Sequence, residues 1–324
     1  MNFRIQMGEK QMTEILTNRH DILIIFDVTN GNPNGDPDAG NMPRIDPNTN
    51  KGIVTDVCLK RKIRNYVEIF KQGRSGFDIL VHQGAVLNER IDEAVDTIKD
   101  HRGSSSPSKN LDKDEKARIA AKWLCEKYFD VRTFGAVLAT GNEVMKGSAH
   151  GQIRGPAQFT FAQSYHSINP LEFTITRCAV TREDDRGKER TMGRKHVIPY
   201  ALYWAKCFVS PAFAERTGFS GQDLEVLFEA LGDLFTHDRS AARGDMVVRG
   251  IYDFEHVGTQ HPNNHNQNLS EARLGCYHAH KLFEGIEVTL QEDKEFPESF
   301  SDYRIDCKWT SDNLPPGVKL HVRH

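Results

Sequence analysis

A chain of 324 residues with 38% hydrophobic and 27% charged residues is of ordinary soluble-globular composition, large enough for one big or two ordinary domains. Its net charge of −3 excludes a uniformly basic coat, so any site for a polyanion has to be a local patch with acidic surface elsewhere. No apolar run is long enough to span a bilayer and the first residues, MNFRIQMGEKQM, lack a signal-peptide core; the six scattered cysteines, without a C-x-x-C, fit the reduced thiols of a cytosolic protein.

Residues 1–17 read as a polar, aperiodic tail. Asp21 to Thr29 is an apolar, β-branched run and predicts a buried strand. The loop that follows holds Gly31, Gly35, Gly40, Pro33, Pro37, Pro43 and Pro47, with six Asn or Asp residues from Asn30 to Asn41, a density of breakers that no helix or strand survives. A helix then starts at a Thr55 or Asp56 cap, with Leu59, Ile63, Tyr66 and Phe70 on one face and Lys60, Arg61 and Arg64 on the other. A buried strand thus delivers the chain to a polar loop and a cationic helix, a platform for an anionic ligand.

Phe77–Val86 suggests a short strand, Asn88–Lys99 a helix with Ile91, Val95 and Ile98 inward, and 101–110 a flexible break. Asp112–Phe129 predicts another helix, carrying Ile119, Trp123 and Leu124 toward a core. The stretch from 130 to 156 is glycine-rich, basic and loop-dominated, and Arg154 sits in it beside glycines that let a phosphate approach closely. Strands follow at Ala157–Tyr165, where Phe159 and Phe161 alternate, and at Phe173–Val180. The charged stretch 181–196 between strands predicts a projecting hairpin, and His196–Val209 reads better as strand than as helix. Ser220–Phe235 is an amphipathic helix with Leu224, Leu227, Phe228, Leu231 and Leu234 inward; Met246–Phe254 is a strand, and the rest is irregular apart from apolar runs near 286 and 318. The order strand, helix, strand, strand, helix, strand is the split βαβ pattern of a ferredoxin-like α+β domain, with long insertions.

Several chemistries compete for the loop. Asn30, Asn32, Asn34 and Gly35 occupy calcium-loop offsets, but the twelfth position is Asn41 in place of a bidentate Glu. No Lys-Ser or Lys-Thr follows the glycines, as a P-loop requires. Asp36 and Asp38 could serve a nuclease, although Asp beside Pro and Gly usually builds Asx turns. Loop N–H groups near Asn32, Asn34 and Gly35 could hold phosphates beside the cationic helix, with Arg44 as a further candidate contact. His261, His265, His278 and His280 lack cysteine or acidic companions at zinc spacing, and Phe159 and Phe161 lie in no RNP1 match, which favours core roles. No metal, cofactor or catalytic set is expected.

The string FDVTNGNPNGDPDAGNMPRIDPNTNKGIVTDVCLKRKIRNYV resembles the backbone subunit of the type I-C CRISPR surveillance complex, Cascade, and so do DVRTFGAVLATG, GQIRGPAQFTFAQS, MGRKHVIPYALYWAKCFVSP and HDRSAARGDM. The resemblance runs from about Asn18 nearly to the C-terminus. Leu59-Lys60 with Ile63-Arg64 is similar to the L-K-x-x-[IL]-R core of the RAMP superfamily, with Arg61 where a Gly is typical. The resemblance implies a hand: a ferredoxin-like, RNA-recognition-type palm in residues 18–324, fingers from an insertion at about 72–155, and a thumb at about 181–196. It also implies that copies polymerise head to tail along a guide RNA, that the guide pairs with target DNA, and that other Cascade subunits complete a cytoplasmic particle with no membrane contact. On that basis Arg194, Lys195 and His196 would touch the RNA backbone and Met192 would wedge beside a displaced base. The alternative within the superfamily is a ribonuclease cutting with a loop aspartate.

Overall fold

The computed structural model describes residues 14–100, 111–139, 142–179, 182–183, 192–260, 264–292 and 294–323. The first apolar run forms β1 (Arg19–Gly31), whose residues 20–28 are buried whichever face they point to. A strand buried on both faces needs two covering layers, and the remaining elements supply them.

The breaker-rich loop contains the two-residue strands β2 (Gly35–Asp36) and β3 (Met42–Pro43), paired with each other, and leads to β4 (Lys51–Val54) and α1 (Asp56–Phe70). Three helices follow, α2 (Leu87–Asp100), α3 (Lys113–Lys127) and α4 (Phe129–Phe134), and then the paired strands β5 (Gly135–Val137) and β6 (Gln152–Arg154). Next come β7 (Ala157–Phe159), β8 (Ala162–Ser167), β9 (Leu171–Thr176) and the 18-residue β10 (Met192–Val209). The chain continues through α5 (Pro211–Thr217), α6 (Gly221–Gly232) and β11 (Asp245–His256). It closes with α7 (His265–Leu274), α8 (Ala279–Glu284), β12 (Ile286–Leu290), β13 (Tyr303–Cys307) and β14 (Val318–Arg323).

The main sheet runs β14-β11-β1-β10-β8-β4, and its pairings are antiparallel. Within it β11-β1-β10-β8 are the fourth, first, third and second strands of the βαββαβ core, which is the ferredoxin-like arrangement expected from the sequence. Ile22, Ile24, Phe26 and Val28 share a core with Leu59, Ile63 and Val67 of α1 and Leu227 and Leu231 of α6. Leu23 and Ile25 point the other way, into a core with Leu282, Phe283, Ile286 and Tyr303. Alternation along one strand therefore feeds two cores. On the second side the buried Asp27 carboxylate accepts from Tyr200 Oη (3.0 Å) and Arg249 Nε (2.8 Å), while burial pushes its pKa up against the pull of the arginine.

The insertion has its own core, built from Leu80, Ile91, Val95, Ala117, Ala120, Ala121, Leu124, Val131, Leu138 and Met145. Alanines let α2 and α3 approach closely, so Ile119 and Trp123, expected inward, are only half-buried. Residues 77–86 form no strand; their one ladder contact is the bridge from Asp78 to Tyr128, because Leu80 N–H (2.8 Å) and Val81 N–H (3.1 Å) donate to the buried Asp130 carboxylate. Arg132 keys the insertion to the palm, donating Nη2 and Nε to Asp223 of α6 (2.7 and 3.0 Å) and Nη1 to the Cys125 carbonyl (2.7 Å).

Other expectations need correction. Phe70 is 53% exposed at the end of α1, tilted against Tyr66 with ring centroids 4.7 Å apart. Of the stretch 1–17 expected as a tail, Ile15 bridges to Ser220 and Leu16 is buried, so these residues join the fold; residues 1–13 lie outside the described residues. The break at 101–110 also lies outside them. The stretch expected to be irregular after 254 holds α7 and α8, and Leu282 and Phe283 of α8 pack into the core on the second side of β1. Among the described residues no helix is long and apolar enough to cross a membrane.

Arg132→Ala should cost about 3–5 kcal/mol, because it strands the Asp223 carboxylate in a buried site. Urea unfolding measures this directly. A loss below about 1 kcal/mol would show that the insertion is held to the palm by apolar contact instead.

Candidate nucleic-acid interface

The polar loop is braced by its own side chains. Asn30 takes a left-handed conformation (φ 48°), which Asn tolerates, and turns the chain out of β1. At Gly31 a Cβ would sit 2.7 Å from Val28 and 3.0 Å from the Ala242 carbonyl, which also accepts the Asn32 N–H at 2.6 Å. Asn32 is buried and donates Nδ2–H to the Asn41 carbonyl (2.8 Å), while a Cβ on Gly35 would fall 1.9 Å from Asn41 Oδ1. The Asn34 side-chain oxygen accepts both the N–H and the hydroxyl of Thr55 at 2.9 Å, and Thr55 caps α1. Asp36 caps a single helical turn over Pro37–Ala39 and binds Arg44 at 3.1 Å. The calcium-like offsets thus do not assemble a site, since the Asn34 oxygen is committed to Thr55. Asn32, Asn34, Gly35 and Arg44 hold the loop's shape and its join to α1.

The helix cations differ from one another in availability. Lys60 pairs with Asp56 (2.8 Å), one turn earlier on α1, and stands 5.8 Å from the Phe134 ring centroid. Arg64 lies over the same ring at 5.3 Å and donates Nε–H to the buried Asp130 at 2.8 Å. Arg61 is exposed and bonds only Asn65, at 3.0 Å. The open cationic face expected from the sequence is therefore a row in which Arg61 is free and Lys60 and Arg64 have carboxylates. Lys62 lies on the buried side, joined to Asp238 and 5.4 Å from the Phe235 centroid.

The chain leaves Phe134 directly into β5, which pairs with β6 so that Gly135 faces Arg154. Gly135 has φ +83°, and a Cβ there would meet the Ile153 carbonyl at 2.2 Å; at Gly155 it would meet the Phe134 backbone at 2.3 Å. Glycine at both positions lets this turn press onto the end of α4, and it leaves Arg154 exposed with its guanidinium 5.2 Å from the Phe213 centroid. Phe159 packs edge-on against Phe134 at 6.1 Å, in the core, whereas Phe161 is 57% exposed.

The fourth group stands on a ribbon. Strand β10 pairs with β1 from Ile198 onward, with Ile198 opposite Gly31, and before that with β9. Cross-strand partners share a face, so Leu171, Phe173 and Ile175 lie with Val197, Lys195 and Gly193, while Glu172, Thr174 and Thr176 lie with His196, Arg194 and Met192. Every residue of β9 is exposed, as are Met192, Gly193 and Arg194. Arg194 binds Glu172 at 3.2 Å. Met192 stands on the polar face, away from the apolar stripe. Of the expected hairpin, 181 and 184–191 lie outside the described residues.

Two further contributors were given no role from the sequence, one of them the HDRSAARGDM motif. Residues 237–246 pack on the loop through Ala242, and Asp238 there also binds Arg243 at 3.2 Å, leaving Arg239 exposed; the alternating charges of HDRSAARGD were the available signal. Lys51, opposite Ser167, has no carboxylate partner among the described residues, and neither do Arg61, Arg154, Lys195 or Arg239. His278 and His280 stack at 5.7 Å, His261 lies outside the described residues, and among those described no cluster of three metal-binding groups occurs.

The family profile of CRISPR-associated protein Cas7 matches residues 18–308. A Haloferax volcanii protein described as CRISPR-associated protein Cas7 is 29% identical over 222 residues, covering 65% of this chain; the chain spans 62% of that relative's length. Among solved structures, a chain of a CRISPR RNA-guided surveillance complex in a pre-nicking state aligns over 73% of this chain and 78% of its own, at 16% identity and a TM-score of 0.47. A chain of a Type III-B Cmr-beta complex bound to cognate target RNA aligns over 72% and 60%, at 12% identity and a TM-score of 0.40.

Replacing Arg64 by Ala should lower stability by about 1–3 kcal/mol, since Asp130 loses a charged donor in a buried position. Arg61→Ala, on an exposed residue, should change it by less than about 0.5 kcal/mol. Parallel denaturant titrations give both values, and equal effects would contradict the division into paired and free cations.

Proposed function

The chain belongs to the CRISPR-associated protein Cas7 family, and from that premise we propose that it is a guide-RNA-binding backbone subunit of a Cascade surveillance complex, of type I-C by its motifs. The observation that carries this reading is the β9–β10 ribbon, exposed on both faces and rooted where β1 enters the polar loop. An isolated two-stranded ribbon is marginal in water, so an external partner would stabilise this one. A basic edge at Arg194, Lys195 and His196 suits an RNA backbone, with Met192 projecting as the wedge beside a displaced base.

In this reading the ribbon is the thumb, the main sheet with α1 and α6 the palm, and the insertion with its own core the fingers. Guide phosphates run along Arg61, Lys60 and Arg154, contacts that position a strand without reading its bases. Lys60 can exchange Asp56 for a phosphate cheaply, because an i,i+4 pair is worth only about 0.3–0.5 kcal/mol. Arg64 stays with Asp130 and supports the ring beneath the row. Copies joined head to tail through a heterologous interface form an open helical assembly, whose guide bases face outward to pair with target DNA beside the other Cascade subunits.

The competing reading is a ribonuclease using Asp36 or Asp38. Such a site needs a carboxylate free to hold a metal ion or to move a proton. Asp36 instead caps a turn and binds Arg44, which supports a structural role in the loop for that carboxylate.

Replacing Thr181–Arg194 by a short Gly-Ser turn should leave a folded monomer that no longer assembles on RNA, with the spaced pattern of nuclease protection lost. Normal assembly of that variant would remove the ribbon from the guide-binding role. Incubation of the intact protein with RNA and magnesium should leave the RNA whole. Cleavage at regular spacing, abolished by Asp36→Ala, would establish the ribonuclease reading in its place.

A further inference from the structure

Phe213, on α5, carries two guanidinium groups: Arg154 at 5.2 Å and Arg216 at 5.8 Å from its ring centroid. Both arginines are exposed, and neither has a carboxylate partner among the described residues. The acid adjacent to Arg216, Glu215, is taken by both terminal nitrogens of Arg273, at 2.6 and 2.7 Å. Arg118 and Arg304, also exposed, sit on carboxylates. Two exposed like charges on one ring, with the nearby acid diverted, leave local positive charge that an anion would neutralise.

Position adds to charge. Arg154 lies opposite Gly135, the residue after Phe134, whose ring underlies Lys60 and Arg64. Two aromatic rings, each bearing two cations, thus follow one another from α1 to α5. We propose that Arg154 and Arg216, seated on Phe213, form a clamp for a phosphodiester of a nucleic-acid strand, extending the cationic row to α5. The proposal rests on the guide-binding reading and adds Arg216 and Phe213 to it. The planar fork of each guanidinium matches two phosphate oxygens, and the ring limits the rotamers each side chain must give up on binding. The phosphodiester could belong to the guide or to the target strand, and the two have the same chemistry here.

The test compares the intact protein with Arg154→Ala/Arg216→Ala, with Phe213→Leu, and with Arg118→Ala as a carboxylate-paired control, each checked for an unchanged melting temperature. Affinity for single-stranded RNA is measured across a salt series, and then the affinity of the RNA-loaded protein for complementary single-stranded DNA. The double variant should bind about tenfold more weakly. Its slope of log affinity against log salt should fall by about 1.4 for two lost single-strand contacts. Phe213→Leu should lose about two- to fivefold in affinity with the slope kept, and Arg118→Ala should lose nothing. Change in the RNA arm assigns the clamp to the guide, and change in the DNA arm alone assigns it to the target; either supports the clamp. Unchanged affinity and slope in both arms, with the intact protein binding RNA, overturn the clamp and leave the guide-binding reading standing. An intact protein that binds no RNA overturns that reading and the clamp together.

Discussion

One strand, β10, holds the two halves of this molecule in register. Its 18 residues span roughly 60 Å; Met192–Val197 pair only with β9, and from Ile198, which meets Gly31, the strand pairs with β1 and further along with β8 and β7. From Ile198 to Val209 the strand is locked between β1 and its neighbours in the sheet, with Ile198, Tyr203, Ala205 and Cys207 in the core shared with α1 and α6. A slip of one residue would drive each of these to the opposite face, so the palm fixes the register of the ribbon as well. The ribbon lacks a core of its own, and its position is inherited from the buried end of the same strand. The polar loop depends on the same junction, because it begins at Gly31.

The second constraint is electrostatic. With a net charge of −3, cations on this surface generally find acids, and the structure distributes them unevenly. Lys62, Arg64 and Arg132 are bound to Asp238, Asp130 and Asp223 and serve the fold. Arg61, Arg154 and Arg216 are exposed with no carboxylate partner among the described residues. An acid-rich chain can still present a row for a polyanion if its acids are spent elsewhere. Arg273 shows how this is done, holding Glu215 away from the neighbouring Arg216. The aromatic rings under the row keep the cations close without neutralising them.

Much of the candidate site was legible as composition but not as role. Asn32, Asn34, Gly35 and Arg44 stood out in a breaker-rich loop, and in the structure their polar groups face one another, Thr55, Asn41 and Asp36. A linear sequence displays the density of Asn and Gly; which oxygen meets which N–H depends on residues far apart, such as Ala242 beneath Asn32. The same limit explains residues 77–86. Their apolar pattern looked like a strand, but the donors of Leu80 and Val81 were claimed by Asp130, about fifty positions later in the chain. Phe213 and Arg216 carry no local signal, for a short helix bearing Phe and Arg is ordinary until β6 brings Arg154 to it.

The amino-acid sequence by itself determined the α+β core. Alternating or continuous apolar runs specify β1, β10 and β11, the 3.6-residue period specifies α1 and α6, and Thr55 and Ser220 mark where those helices start. These are local signals, fixed by backbone geometry and burial within a few residues. Only the tertiary structure decided which cations remain available, that α8 packs on the second face of β1, and that the ribbon, the loop and the row from Lys60 to Arg154 belong to one strand junction and its helices. Each of those depends on a partner many residues away, and a carboxylate neutralises an arginine through distance in space, whatever separates them along the chain.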